Sequence, residues 1–198
     1  MSSAWTIGGQ RCIVNNSTRT GVMRVFRRKP LRYLSLAELM RETKLPAEII
    51  VESIEELTTE GLKIGSRFPG EYFYEPREEI LHPDTVAAQL TTRWWGRQLL
   101  FGDILSSSID IAKAILEREI DPHGAVVAAN AQSRGRGRQG NSWISPKGKD
   151  LLLTFLIRIG EWPPPPSLLS LYTVTAVARV LDTAYGIPVS IKWPNDLI

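Results

Sequence analysis

Glycine and arginine alternate in one short stretch of this sequence: Gln132-Ser133-Arg134-Gly135-Arg136-Gly137-Arg138-Gln139-Gly140-Asn141-Ser142-Trp143. Glycine lets a backbone approach a ligand closely and present its N–H groups. Arginine supplies paired donors for a carboxylate or a phosphate. Trp143 offers a planar face for a base. The spacing matches neither a Gly-Lys-Ser/Thr phosphate loop nor a dinucleotide fingerprint opening a helix. The competing option is a disordered basic tract that touches RNA, but such tracts are longer and more repetitive. This stretch lies between two apolar runs, 125–129 and 151–159. A ligand loop between two strands is therefore expected.

A second group is Ser106-Ser107-Ser108, which precedes Ile111, Ala112, Ile115 and Leu116 at helical spacing. The serines suit helix caps. Hydroxyls and N–H groups at a helix start also make a small polar pocket able to grip a carboxylate, carbonyl or urea. A third group, Lys192-Trp193-Pro194-Asn195-Asp196, follows an expected strand at 189–192. His82 and His123 each stand beside a proline, with no partner at ligand spacing, so no metal is assigned to them. Cys12 is the sole cysteine, which excludes an internal disulfide and suits a reducing compartment.

The elements that must carry these groups can be outlined. Ser35 and Glu38 form a capping box for a helix to about residue 45. Pro46 opens a second helix, with Ile50, Ile54 and Leu57 on one face, and Gly61 ends it. Residues 62–64 and 72–74 flank Pro69-Gly70, a strand–turn–strand signal. Two helices followed by a hairpin predict a winged helix-turn-helix at 21–80. Asp84 is placed to cap a short helix to about residue 90. Trp162 and Pro163 to Pro166 make a stiff loop, and Ser167 starts a long helix with Leu171, Val174, Ala178, Leu181 and Tyr185 as its core face. A second domain is expected over 81–198, and the whole is α+β.

Charge is placed unevenly along the 198 residues, whose net charge is only +3. Residues 1–37 hold no acid but carry Arg11, Arg19, Arg24, Arg27, Arg28, Lys29 and Arg32. That composition is like a transit peptide's, yet a flexible basic tail over 1–20 is expected, because Val22, Val25, Phe26 and Leu31 can pack onto the next domain. The second helix carries Glu48, Glu52, Glu55, Glu56 and Glu60 and no base. Duplex DNA is held by cations on phosphates, so a packing or dimerisation module is expected and DNA contact is left to the basic tail. No apolar run approaches the roughly 20 residues of a membrane span. A cytoplasmic protein with no membrane partner is expected.

The glycine–arginine loop with Trp143, Ser145 and Pro146, followed by Lys192-Trp193-Pro194-Asn195-Asp196, resembles the biotin–protein ligase catalytic domain. With the helical segment before it, residues 34–198 resemble the bacterial class that carries an N-terminal winged helix. The resemblance implies a mixed-sheet biotin/lipoate ligase domain, incomplete in this sequence. It implies that biotin and Mg2+-ATP give biotinyl-5′-adenylate, and that the acyl group passes to a lysine of biotin carboxyl carrier protein. A homodimer is compatible with it. Ser107, Ser108, Gln132, Gly135 and Arg136 would hold biotin. Arg136, Arg138 and Lys192 would be catalytic, and Arg138, Trp143, Asn195 and Asp196 would bind the nucleotide, with Asp196 on magnesium.

Three departures stand out. Ile109 replaces a polar residue common in the family, and Asn141 replaces a common arginine. The family's catalytic lysine, further sheet strands and a small β-barrel lie beyond Lys-Trp-Pro-Asn-Asp, so a clipped ligase is expected. The alternatives are a lipoate–protein ligase relative and a non-catalytic, biotin-responsive ligase fragment.

Overall fold

The computed structural model describes residues 4–68, 70–76, 81–118, 121–137, 140–161 and 165–198. Pro69, Arg138, Trp162, Pro163 and Pro164, singled out in the sequence, lie outside the described residues. The chain forms two compact units, 1–156 and 157–198.

In the first unit, β1 (Ala4–Ile7) and β2 (Gln10–Val14) pair antiparallel. Gly8 and Gly9, at φ 56° and 75°, form their two-residue turn. Two positive φ values in a row are what a tight hairpin demands and what glycine supplies without steric cost. This corrects the expected flexible tail over 1–20. Ile7, Cys12 and Val14 alternate into the core, and β2 joins the main sheet. The domain boundary expected near residue 80 is likewise not where the compact units part, because the N-terminal hairpin belongs to the sheet of the later residues.

Helix α1 (Ser17–Arg28) starts at Asn16, whose side chain accepts from the Thr18 amide at 2.8 Å. A short strand, β3 (Leu34–Ser35), leads into α2 (Leu36–Thr43). The expected cap is present, with the Glu38 amide donating to Ser35 Oγ at 3.2 Å. Helix α3 (Ala47–Thr59) follows Pro46, and the chain leaves it through Gly61 at φ 101°. The hairpin β4 (Ile64–Phe68) and β5 (Glu71–Tyr74) completes a three-stranded sheet in the order β3-β5-β4. Val22, Met23, Phe26, Leu39, Ile50, Leu57 and Tyr74 bury one apolar core among these elements. Burying each large apolar side chain contributes about 1.5–3 kcal/mol.

The five-stranded sheet runs β1-β2-β6-β7-β10, with β6 (Leu99–Leu105), β7 (Val126–Gln132) and β10 (Leu152–Phe155). Strands β6 and β7 are parallel, joined by helix α5 (Ser108–Leu116); the other neighbours pair antiparallel. Leu100, Leu105, Val127, Ala129 and Leu152 pack against Ile111, Ala112 and Ile115 of α5 on one face. On the other face, Leu99, Phe101, Val126 and Ala128 meet Leu81 and Val86. Val86 belongs to α4 (Pro83–Ala87). His82, not Asp84, caps α4: its Nδ1 accepts from the Asp84 amide at 3.2 Å.

Asp84 is instead buried, with its Oδ1 accepting from the Asn16 amide at 2.9 Å and Thr20 Oγ1 at 2.7 Å. Arg19, read from sequence as part of a basic tail, is 1% exposed and lies 2.7 Å from Asp84 and 2.9 Å from Glu60. His82 Nε2 lies 3.0 Å from Glu60, so this histidine does have carboxylate neighbours. Because Nδ1 accepts, the assigned tautomer carries its proton on Nε2 and donates to Glu60. The two carboxylates and the histidine are arranged like metal ligands. The Arg19 guanidinium already supplies the positive charge they need.

In the second unit, α6 (Leu169–Tyr185) ends at Gly186, φ 64°. Its expected core face is only partly buried: Val174 is covered and Tyr185 is exposed. Strands β11 (Ile191–Lys192) and β12 (Asp196–Leu197) form a short hairpin. Among the described residues, no helix is long and apolar enough to cross a membrane.

Candidate functional site

The carboxyl ends of adjacent parallel strands are where open sheets with crossover helices hold ligands. Here β6 leads into Ser106-Ser107-Ser108 and β7 ends at Gln132. The Gln132 side-chain oxygen accepts from the Ser108 amide at 2.7 Å and from Ser108 Oγ at 3.1 Å. Thr154 on β10 donates to Ser108 Oγ at 2.8 Å. Two strands and one helix start are thereby tied at one point. Ser107 is the N-cap residue of α5, yet its hydroxyl makes no cap bond. That hydroxyl is buried and has no partner among the described residues. An orphaned buried hydroxyl is costly unless something else satisfies it. Ser107 lines a pocket of about 390 Å³ with Ser108, Gln132, Arg136, Trp143 and Thr154.

The glycine–arginine loop folds back as a small hairpin, β8 (Gly135–Arg136) against β9 (Ser142–Trp143). A Cβ at residue 135 would sit 2.4 Å from the Trp143 carbonyl oxygen, so this close backbone approach requires glycine. The Gly137 amide donates to the Asn141 carbonyl at 2.7 Å and closes the turn. The loop lines a hollow of about 740 Å³ that includes Gly135, Arg136 and Trp143. Lys147 anchors its far end, donating to Asp103 at 2.7 Å. Together with the Asn130 amide, that bond holds the Asp103 carboxyl below the usual carboxylate range. Arg136 is exposed and reaches Asp110 at 3.0 Å. An exposed pair of this kind holds only weakly, so its guanidinium is available to a stronger anion.

The five residues assigned to biotin from the sequence, together with Trp143, therefore surround adjoining hollows in the first unit. Lys192, Asn195 and Asp196 lie in the β11–β12 hairpin of the second unit. There Lys192 is 3.7 Å from Asp196, and the Asn195 amide donates to Asp196 at 3.3 Å. Arg138 is outside the described residues. Two contributors escaped the sequence reading: Thr154 of β10, and Gln10 of β2, which bonds twice to Ser106. Nothing within either segment signals that role.

A mixed sheet with a hydroxyl pocket at its parallel strand ends, edged by a glycine–arginine loop, defines an α+β domain built to hold a small anion-bearing ligand. Residues 101–198 match the Biotin/lipoate A/B protein ligase family, and over that segment the chain belongs to it. The chain is similar to the bifunctional ligase/repressor BirA of Bacillus spizizenii, 24% identical over 185 residues, covering 93% of this chain and 57% of that protein. The corresponding protein of Bacillus subtilis is 30% identical over 145 residues, covering 73% of this chain and 44% of that one. A solved structure, biotin protein ligase from Aquifex aeolicus in complex with biotin and ATP, is 30% identical over 50% of this chain and 40% of that chain, with a TM-score of 0.42. The chain thus spans about half the length of the curated relatives it matches.

Proposed function

We propose that this protein is a cytoplasmic biotin–protein ligase. In the first step a biotin carboxylate oxygen attacks the α-phosphorus of ATP, giving biotinyl-5′-adenylate as pyrophosphate leaves. In the second, a lysine amine of biotin carboxyl carrier protein attacks the acyl carbon and AMP leaves. The observation that carries this reading is the buried, unpartnered Ser107 hydroxyl in the pocket closed by Gln132 and Arg136. A ureido ring presents donors and an acceptor, and a hydroxyl can meet either.

Arg136, released from Asp110, and Arg138 draw together the carboxylate and the α-phosphate, two anions that otherwise repel. Gly135 lets the loop backbone close over the ligand, and Trp143 lies against the adenine or over the closed loop. Water is then kept from a hydrolysable anhydride. Lys192 and Asn195 contact the nucleotide. Asp196 is an exposed carboxylate, a fit for the one or two hard oxygen donors that magnesium takes from a protein beside phosphate oxygens. Bound there, the ion would offset phosphate charge.

Ser107→Ala is the test. It is expected to weaken biotin binding about fivefold to tenfold, the value of one ligand hydrogen bond, with melting temperature unchanged or raised, since the free protein sheds an unsatisfied buried hydroxyl. Equal affinity of the two proteins in a calorimetric titration would remove Ser107 from the site.

A second reading concerns residues 17–74. We propose a winged helix that serves packing or dimerisation rather than duplex binding. Glu48, Glu52 and Glu55 are the exposed face of α3, and Glu56 and Glu60 partner Arg19. Phosphates are repelled from such a face. Operator-like duplexes are expected to run unshifted at low salt in a gel-shift experiment; a salt-sensitive shift would restore the repressor role that two relatives carry in their names.

A further inference from the structure

We infer that Gln10, on the N-terminal hairpin, is a positioning residue for the Ser106–Ser107 turn and through it for the ligand hydroxyl; this rests on the proposed biotin site. Every polar group of Ser106 is taken. Its amide donates to Gln10 Oε1 at 2.5 Å, and its Oγ accepts from Gln10 Nε2 at 2.8 Å. Its carbonyl accepts from the Arg134 amide at 2.8 Å. The next residue, Ser107, sits in extended backbone at φ −159° and ψ 135°, and its carbonyl accepts from the Asp110 and Ile111 amides. The Ser107 hydroxyl, by contrast, is buried without a partner among the described residues, on a residue that lines the pocket. Gln10 thus clamps the residue before it, so that one hydroxyl is free for ligand while its neighbour is not.

The clamp is itself held rigidly. Gln10 opens β2 directly after the two-glycine turn and pairs with Ile7 across the hairpin. Ile7, Cys12 and Val14 are locked in the core against α5, and Arg118 beyond that helix donates to the Thr6 carbonyl at 2.9 Å. A hairpin that merely covered a sheet edge would need apolar side chains, not an amide delivering both of its ends to one serine 96 residues away. Without Gln10, the buried Ser106 amide and hydroxyl lose their partners. The turn then has reason to rotate toward the hydroxyl that the ligand needs.

The experiment compares the full chain with Gln10→Leu and Gln10→Glu. Leucine removes both bonds. Glutamate keeps both, because its carboxylate accepts from the Ser106 amide and from the Ser106 hydroxyl turned as donor. Biotin affinity by calorimetry, melting temperature and amide hydrogen exchange at Ser106 are measured. Gln10→Leu is expected to bind biotin about tenfold more weakly, with faster exchange at Ser106 and a melting temperature within a few degrees of the parent. Gln10→Glu is expected to restore affinity to within about twofold of the parent.

Unchanged biotin affinity in Gln10→Leu, or unchanged Ser106 exchange, would overturn the inference. So would failure of Gln10→Glu to restore binding. If Gln10→Leu does not fold, Gln10→Ser, too short to reach Ser106 yet suited to a half-buried site, is judged by the same results. Failure of the parent chain to bind biotin would overturn the proposed function instead, and Ser106 exchange would then decide the bracing by itself.

Discussion

Arg19→Met is expected to destabilise the first unit by about 3–5 kcal/mol, the usual cost of stranding buried charge. A typical domain has only about 5–15 kcal/mol to lose. The guanidinium is 1% exposed. Its Nη1 meets Glu60 at 2.9 Å and Glu56 at 3.4 Å, and its Nη2 meets Asp84 at 2.7 Å and donates to the Val14 carbonyl at 2.8 Å. These partners come from α3, the α4 region and the end of β2, so one side chain on α1 joins the helical elements to the sheet. Methionine fills much of the volume but leaves Asp84, which is fully buried, without its guanidinium partner.

Burial already pushes the Asp84 carboxyl up, against the pull of Thr20 and Arg19. Removing Arg19 pushes it further. A carboxyl raised in the folded state favours folding at low pH, and that advantage is lost as pH rises through its folded pKa. The deficit of the variant should therefore narrow in acid and be largest near neutral pH. Urea unfolding at several pH values checks this. A loss below about 1 kcal/mol at neutral pH, typical of a solvated surface pair, would show that the cluster does not anchor the unit.

Arg136→Ala is expected to speed dissociation of biotinyl-5′-adenylate from the full-length protein about tenfold to a hundredfold. That range corresponds to a charged hydrogen bond of about 1.5–3 kcal/mol. The free protein offers little to oppose this assignment, because the competing bond to Asp110 is exposed and weak. The hairpin that carries Arg136 is set by Gly135, whose missing Cβ admits the Trp143 carbonyl. Stability should hardly change, since the arginine buries little. Arg138→Ala should act in the same direction. Unchanged adenylate release in both variants would remove the loop from ligand retention.

The parts of this molecule that were legible in the sequence are those whose signals are local. The Ser35–Glu38 cap, the Gly61 stop, the serine turn before α5 and the glycine–arginine loop each rest on residues within a few positions of one another. The residues proposed for the ligand were found for the same reason, since Gln132, Gly135, Arg136 and Trp143 sit within twelve residues of chain. What stayed hidden was pairing over distance. An acid-free, arginine-rich start looks like a tail until Asp84 and Glu60 are brought against Arg19 by folding. Gly8-Gly9 passed for part of that tail, because the sheet edge its hairpin joins lies some 85 residues on. Gln10 had no local reason to matter at all. His82 likewise looked solitary, because its carboxylate neighbour Glu60 stands on another helix.

The central claim is that the serine turn and the glycine–arginine loop form a biotin site. Calorimetric titration of the chain with biotin, and separately with lipoate, tests it most directly, because both acids belong to the chemistry of the family while only biotin carries a ureido ring. Saturable binding of biotin, with little or none of lipoate, is the predicted result. Binding of lipoate in preference to biotin would contradict it.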